Sequence, residues 1–163
     1  MFNSFILRQN QEININSASN NVNLYTLAGS PKTPINIYCF INSQISSNSG
    51  SSYAFQTGTG WASGTYLYIK NSNTIIGMAN TTVGANGVGG IGGNGANYPA
   101  NGVSGSSGGA GANGNIGGPS FAANTVAGVK ILLNNIGTIS GGNGSIGGSG
   151  GGGGGGGAGA GYG

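Results

Sequence analysis

The side chains able to do chemistry in this sequence are few and scattered. They are one carboxylate, Glu12, one thiol, Cys39, and four cations, Arg8, Lys32, Lys70 and Lys130, with no His and no Asp. General acid–base catalysis needs two titratable groups in one site, and a lone Glu makes no carboxylate pair. A nucleophile–imidazole–carboxylate triad lacks its imidazole. A metal cage needs clustered His, Cys, Asp or Glu. The chain is therefore not expected to be an enzyme, and no catalytic residue, metal or cofactor is expected. Cys39 has no partner for an internal disulfide. Its setting in the apolar run INIYCFI predicts a buried structural thiol rather than a nucleophile, which would need a nearby base or positive charge. The cations form no basic stripe, so nucleic acid is not an expected partner. Matches to G-x-G-x-x-G arise from composition, and no acidic residue follows to hold a ribose.

What the sequence does have is phased glycine. From residue 84 to 118 there are 15 glycines. Taking every third position, ten of twelve are glycine: Gly84, Gly87, Gly90, Gly93, Gly102, Gly105, Gly108, Gly111, Gly114 and Gly117. The other 23 positions hold five. A flexible linker has no reason to keep a phase. The third run carries the spacing on at Gly141, Gly144, Gly147 and Gly150, after which eight consecutive glycines, Gly150 to Gly157, erase it.

A period of three with bare positions fits a left-handed helix of 3 residues per turn and ~3.1 Å rise, with N–H and C=O groups pointing sideways. Collagen is one such structure, but only Pro99 and Pro119 fall in the region, both at breaks. The better reading is a bundle of polyglycine-II helices, which bond laterally where no Cβ intervenes. Residues 102 to 117 would then span about 50 Å. The run from Gly150, bare on every side, is expected in the interior of such a bundle, with neighbours all round.

The remaining chain must position these runs, and it reads as short strands. EININ offers Ile13 and Ile15, NVNLYTLA offers Val22, Leu24 and Leu27, and INIYCFI puts Ile35, Ile37, Cys39 and Ile41 on one face. TYLYIKN and TII follow. Period two, β-branched and aromatic residues, and Asn, Ser, Gly and Pro boundaries argue strands. No apolar set keeps helical spacing. LYIKNSNTIIG (67–77) aligns without gaps on ILLNNIGTISG (131–141), and YCFINSQISSN (38–48) is a weaker third copy. Each is too small to bury its own apolar face, so the copies are expected to stack. The expected fold is all-β and irregular: short β-strands or β-arches followed by a polyglycine-II (PPII-like) bundle, with almost no α-helix. The expected division is a β-rich N-terminal attachment module, 1–80, and a glycine-rich bundle, 81–163, with an intervening strand at 129–140. No leader is expected, because MFNSFILRQNQ has an apolar patch shorter than the ~7–15 residues of a secretory h-region. No stretch reaches the ~18 apolar residues of a membrane span, so no membrane insertion is expected.

These residues resemble a known family. KILLNNIGTISGGNGSIGGSGGGGGGGG is similar to the glycine-rich distal adhesins of T-even-type phage tail fibres. AFQTGTGWASGTYLYIKNSNTIIG (54–77) is similar to a segment that precedes glycine blocks in phage tail-fibre and tail-tip proteins. The resemblance covers residues 54 to 163. It implies a layered polyglycine bundle whose far-end loops touch a bacterial surface receptor, an outer-membrane protein or a glycan. It implies a place exposed on the virion surface after assembly in the bacterial cytoplasm, beside other tail or fibre proteins and within a homo-oligomer or multi-chain assembly. The first 50 residues lack that family's tryptophan-rich start, so another virion position, such as a capsid spike, stays open.

Within that frame the candidate receptor-binding residues sit where the glycine period breaks. NGANYPANG carries Asn97, Tyr98 and Asn101, an aromatic flanked by amides, although Tyr-Pro with Asn is also ordinary turn chemistry. Phe121 in GGPSFAAN and Tyr162 near the end are further candidates. Phe121 could equally be core. Trp61 in GTGWASG packs on a strand layer or stacks on a sugar. The alternatives to an adhesin are a purely structural virion component, a capsid spike or tail assembly protein, and a glycine-rich ice-binding or surface-coat protein. The mixed Asn, Ser, Val and Ile at outward positions disfavour ice binding.

Overall fold

In the computed structural model, which describes residues 8–94 and 103–155, strands of the same type recur and lie side by side in parallel. The first coil holds β1 (Gln9–Ile15), β2 (Ser19–Asn20), β3 (Val22–Asn23) and one helical turn, α1 (Leu24–Leu27). The second holds β4 (Ile35–Ile41), β5 (Ile45–Ser46) and β6 (Phe55–Gln56). The third holds β7 (Tyr66–Asn71), β8 (Thr74–Ile76) and β9 (Phe121–Ala122), and the fourth β10 (Lys130–Asn135) and β11 (Thr138–Ser140). They form three sheets, ordered β1-β4-β7-β10, β2-β5-β8-β11 and β3-β6-β9, and every pairing is parallel and in register. This is the stacking of a β-solenoid. One coil cannot bury its apolar row alone, and its neighbours complete it.

Successive coils are offset by 26 residues (Gln9 to Ile35), 30 (Asn36 to Tyr66) and 64 (Tyr66 to Lys130). The long third coil accommodates the glycine-rich excursion between β8 and β9. The offset of 64 is also that of the gapless repeat, so Leu67 lies on Ile131 and Ile75 on Ile139. The weaker copy stacks one place away from its sequence match. Its Tyr38 pairs with Tyr68, not Leu67. Matching Asn42-Ser43 to Asn71-Ser72 would turn the buried Ile37, Cys39 and Ile41 to the outside, and the period-two burial of β4 forbids that.

The core is the inward row of each strand: Ile37, Cys39 and Ile41 from β4, Leu67, Ile69 and Asn71 from β7, with Leu24, Ile45, Phe55 and Ile75, all fully buried. The NVNLYTLA run ends as a strand at Asn23. Asn23 Oδ1 accepts from the Thr26 N–H at 3.2 Å, capping α1. Leu24 is buried by this turn, whereas Leu27 is thrown to the surface. At a second corner Gly64 (φ +90) donates its N–H to the carbonyl of Gly128 (φ +74), so two left-handed turns that favour glycine stack on each other.

The chain divides into two units. Among the described residues the first takes 8–80 and 116–143, and the second takes 81–94, 103–115 and 144–155. The division expected from composition is thus corrected. Residues 116–143 belong to the first unit, because β9 and β10 pair with β6 and β7.

The second unit consists of three extended segments joined by hydrogen bonds once every three residues. Segment 81–94 donates to 144–155 through Gly84, Gly87, Gly90 and Gly93, whose acceptors are Ile146, Ser149, Gly152 and Gly155. Segment 144–155 donates to 103–115 through Ser145, Gly148, Gly151 and Gly154. Segment 103–115 donates back to 81–94 through Val103, Ser106, Gly109 and Ala112. The bonds close a ring of three segments, with 103–115 antiparallel to the other two. A Cβ on Gly84, Gly87 or Gly90 would strike backbone of both other segments, and one on Gly105, Gly108, Gly111 or Gly114 would strike the third. Gly117 meets Gly142 in the same way within the first unit, and Gly102 lies outside the described residues.

Two expectations for the third run are corrected. Its close-packed row is Gly148, Gly151 and Gly154, not Gly147 and Gly150, whose Cβ positions have their nearest atoms at 3.3 and 3.9 Å. The Gly148 to Ala112 bond sets this register, and a continuous glycine run carries no phase of its own. Nor is the run enclosed on all sides by the described residues, among which Gly152, Gly153 and Gly155 have nothing within 4 Å of a Cβ position.

Candidate functional site

Parallel register turns the alternation along each strand of the first sheet into whole columns, inward or outward. Neighbours in a column lie about 4.8 Å apart. The first outward column is Asn10, Asn36, Tyr66 and Lys130, from β1, β4, β7 and β10. The second is Glu12, Tyr38, Tyr68 and Leu132. The third is Asn14, Phe40, Lys70 and Asn134.

The outer face is therefore four aromatic rings edged by amides and cations. Tyr38 and Tyr68 have ring centroids 6.2 Å apart, and Phe40 meets Tyr68 edge-on at 6.3 Å. Asn134 Nδ2 donates to Tyr68 Oη at 3.2 Å, and Asn36 Nδ2 to Asn10 Oδ1 at 2.9 Å. Glu12 accepts from Asn14 Nδ2 at 2.7 Å. Three of the four cations, Arg8, Lys70 and Lys130, lie on or beside this face. The fourth, Lys32, is elsewhere, donating to Tyr25 Oη at 3.1 Å.

At the leading edge of the face is a cleft of about 290 Å³, flanked by Arg8, Asn36, Tyr38, Tyr66 and Lys130, with Gly64, Thr65 and Gly128 at the turn. A larger cavity of about 620 Å³ belongs to the first coil, and its described lining, including Ile13, Ile15, Val22 and Leu27, carries no charged side chain. The cleft can stack a ring, donate hydrogen bonds and attract an anion. Among the described residues no His, Cys, Asp or Glu cluster could hold a metal ion.

The residues singled out in the sequence fall elsewhere. Asn97, Tyr98, Asn101 and Tyr162 lie outside the described residues. Phe121 is half-buried in β9 and stacked on Phe55, with centroids 5.5 Å apart and planes 8° from parallel. Trp61 is buried, donates from Nε1 to the Thr57 carbonyl at 3.0 Å and packs edge-on against Tyr25 at 5.0 Å, which makes it a core anchor. Cys39 is buried in β4, and desolvation pushes its thiol pKa up to about 12. Sequence reasoning missed Arg8, Tyr38, Tyr66, Tyr68 and Lys130. The available signal was the complementary half of the strand alternation: the residues between the core positions of INIYCFI and TYLYIKN are Asn36, Tyr38, Phe40, Tyr66, Tyr68 and Lys70.

Comparison of the chain with protein-family models, curated proteins and solved structures gives no match.

Proposed function

We propose that the glycine-rich unit is a bundle of polyglycine-II helices, and that the protein is a non-catalytic host-attachment protein on the surface of a bacteriophage virion, at a tail fibre or tail tip. The observation that carries this reading is the ring of hydrogen bonds repeating every third residue among 81–94, 103–115 and 144–155. Three residues per turn is the repeat of the PPII-type helix. The antiparallel middle segment argues against collagen, whose three chains run together. Ordering glycine costs more backbone entropy than ordering any other residue. A chain that keeps glycine in phase and bonds it laterally gains a stiff support rather than a tether, as a receptor-reading tip requires.

A second reading, a structural virion component joined to neighbouring subunits, is favoured by the fourth coil. Its Leu133 occupies the same inward column as the fully buried Ile69, yet is 37% exposed. Antibody raised against the chain tests both readings. On virions of the encoding phage, labelling at the tail end together with blocked adsorption is expected for the attachment role. Labelled virions that adsorb normally would move the protein to the structural role, and unlabelled virions would overturn both. Exchanging residues 97–101 for Ser-Gly and measuring adsorption tests that loop separately.

A further inference from the structure

We propose that the cleft bounded by Arg8, Tyr66 and Lys130 binds an acidic saccharide, with the sugar ring on the tyrosines and its carboxylate between the two cations. The proposal goes beyond virion attachment and does not depend on it, since binding is read on the isolated protein.

Charge is so scarce in this chain that its placement carries information. Only five of 163 side chains are charged, and two of the four cations edge one cleft. Lys130 sits directly beside Tyr66 in the first outward column, and Asn36 flanks Tyr66 on the other side. Arg8 extends from the start of the first coil to the turn that precedes Tyr66. Its Nη2 would lie 3.7 Å from a Cβ placed on Gly64, and Pro34 Cβ would be equally close. Gly64 and Gly128, both at positive φ, form the turn beside the cleft. Neither cation has an ion pair or side-chain hydrogen bond among the described residues. The only carboxylate in the chain, Glu12, does not line the cleft and accepts from Asn14 instead.

The ligand class follows from this combination. Two cations hold one carboxylate, whereas a nucleic-acid backbone needs a longer array. Tyr38 and Tyr66 offer apolar faces with polar tips, which suit the C–H face of a pyranose. Asn36 offers an amide to hydroxyl groups. A volume of about 290 Å³ is at the small end of ligand pockets, so a single acidic sugar ring fills it.

The test is calorimetric titration with digalacturonate, its neutral counterpart galactobiose, and inorganic phosphate. Saturation-transfer NMR on the wild-type protein reads which sugar protons lie against the protein, and the C–H face is expected to receive the most. Digalacturonate is expected to bind and galactobiose to bind at least tenfold more weakly. Arg8→Gln and Lys130→Gln should each weaken digalacturonate about fivefold, with Lys32→Gln leaving it unchanged. Tyr66→Ala should weaken digalacturonate about tenfold. Equal binding of galactobiose, equal binding of phosphate, unchanged affinity in both charge variants, or no binding of digalacturonate at millimolar concentration would each overturn the proposal.

Discussion

Asn71 Nδ2 donates to Asn135 Oδ1 at 2.7 Å, joining the third coil to the fourth in a column that Ile15 and Ile41 fill in the first two. Asn71 is fully buried, and its amide is also spent on the Thr138 carbonyl at 3.3 Å and on the Asn73 N–H at 3.2 Å. The amide thus fixes the turn between β7 and β8 as well as the next coil. No buried side-chain nitrogen or oxygen among the described residues lacks a partner.

Replacing Asn71 should therefore cost far more than replacing Asn135. Asn71→Ala empties a fully buried place in the inward row and removes the partner of the Asn73 N–H and the Thr138 carbonyl, bonds worth about 0.5–1.5 kcal/mol each. Asn135 is exposed, and its loss leaves the Asn71 amide bonded to the Thr138 carbonyl and the Asn73 N–H. Urea unfolding is expected to give a loss of about 2–4 kcal/mol for Asn71→Ala and under about 1 kcal/mol for Asn135→Ala. Equal losses would show that the column is not held from its buried member.

Two glycines two residues apart in one run should respond in opposite ways. A Cβ on Gly151 would collide with the carbonyl of Val88, whereas one on Gly153 meets nothing among the described residues. Gly151→Ala must push two backbones apart and break lateral bonds, an overpacking cost of about 1–3 kcal/mol or more. Gly153→Ala should be neutral or stabilise by about 0.4–1 kcal/mol, because alanine narrows the unfolded ensemble. Amide hydrogen exchange at Gly148 and Gly154 reads the difference. Similar protection in both variants would count against a close-packed polyglycine bundle.

Much of the stacked unit was legible in the sequence, and the reasons are physical. The apolar alternation in INIYCFI and TYLYIKN shows up as alternating burial in β4 and β7. The gapless repeat aligned because Lys130–Asn135 and Thr138–Ser140 stack on β7 and β8 with one offset and no bulge between them. The aromatic and cationic face was not legible. Tyr38, Tyr66 and Lys130 come from three coils and become neighbours only through a register that the outer residues do not encode. The return of residues 116–143 to the first unit was hidden because glycine flanks them on both sides. The helical turn was hidden because Leu24–Leu27 reads as strand until the Asn23 cap is seen.

Phe121 separates a packing role from a recognition role. It stacks on Phe55 between β6 and β9, and Phe55 is fully buried. Phe121→Ala should destabilise the first unit by about 2–3 kcal/mol, below the 3–5 kcal/mol of a fully buried ring. Phe121→Leu should recover most of that loss. Thermal unfolding of the two variants measures it. Unchanged stability in Phe121→Ala would return the ring to the recognition candidates.

Cys39 makes the fold sensitive to alkali. Burial pushes its thiol up to about 12, from 9.0 in the exposed state. The folded protein therefore holds this proton more tightly than the unfolded chain. Its contribution to stability is complete below about pH 9 and is lost as pH rises towards 12. A shift of that size corresponds to at most a few kcal/mol, on the order of 1.4 kcal/mol per pH unit. Urea unfolding from pH 7 to 11 should show stability falling above pH 9 in the wild type. The fall should be shallower in Cys39→Val, which keeps the apolar volume and removes the ionisable group, so the tyrosines common to both cancel in the comparison. The same burial predicts that the folded protein resists thiol reagents at pH 8 and reacts once unfolded in urea. A wild-type pH profile parallel to that of Cys39→Val, or rapid labelling of the native thiol, would mean that the strand β4 row opens far more readily than its packing between Ile13 and Ile69 implies.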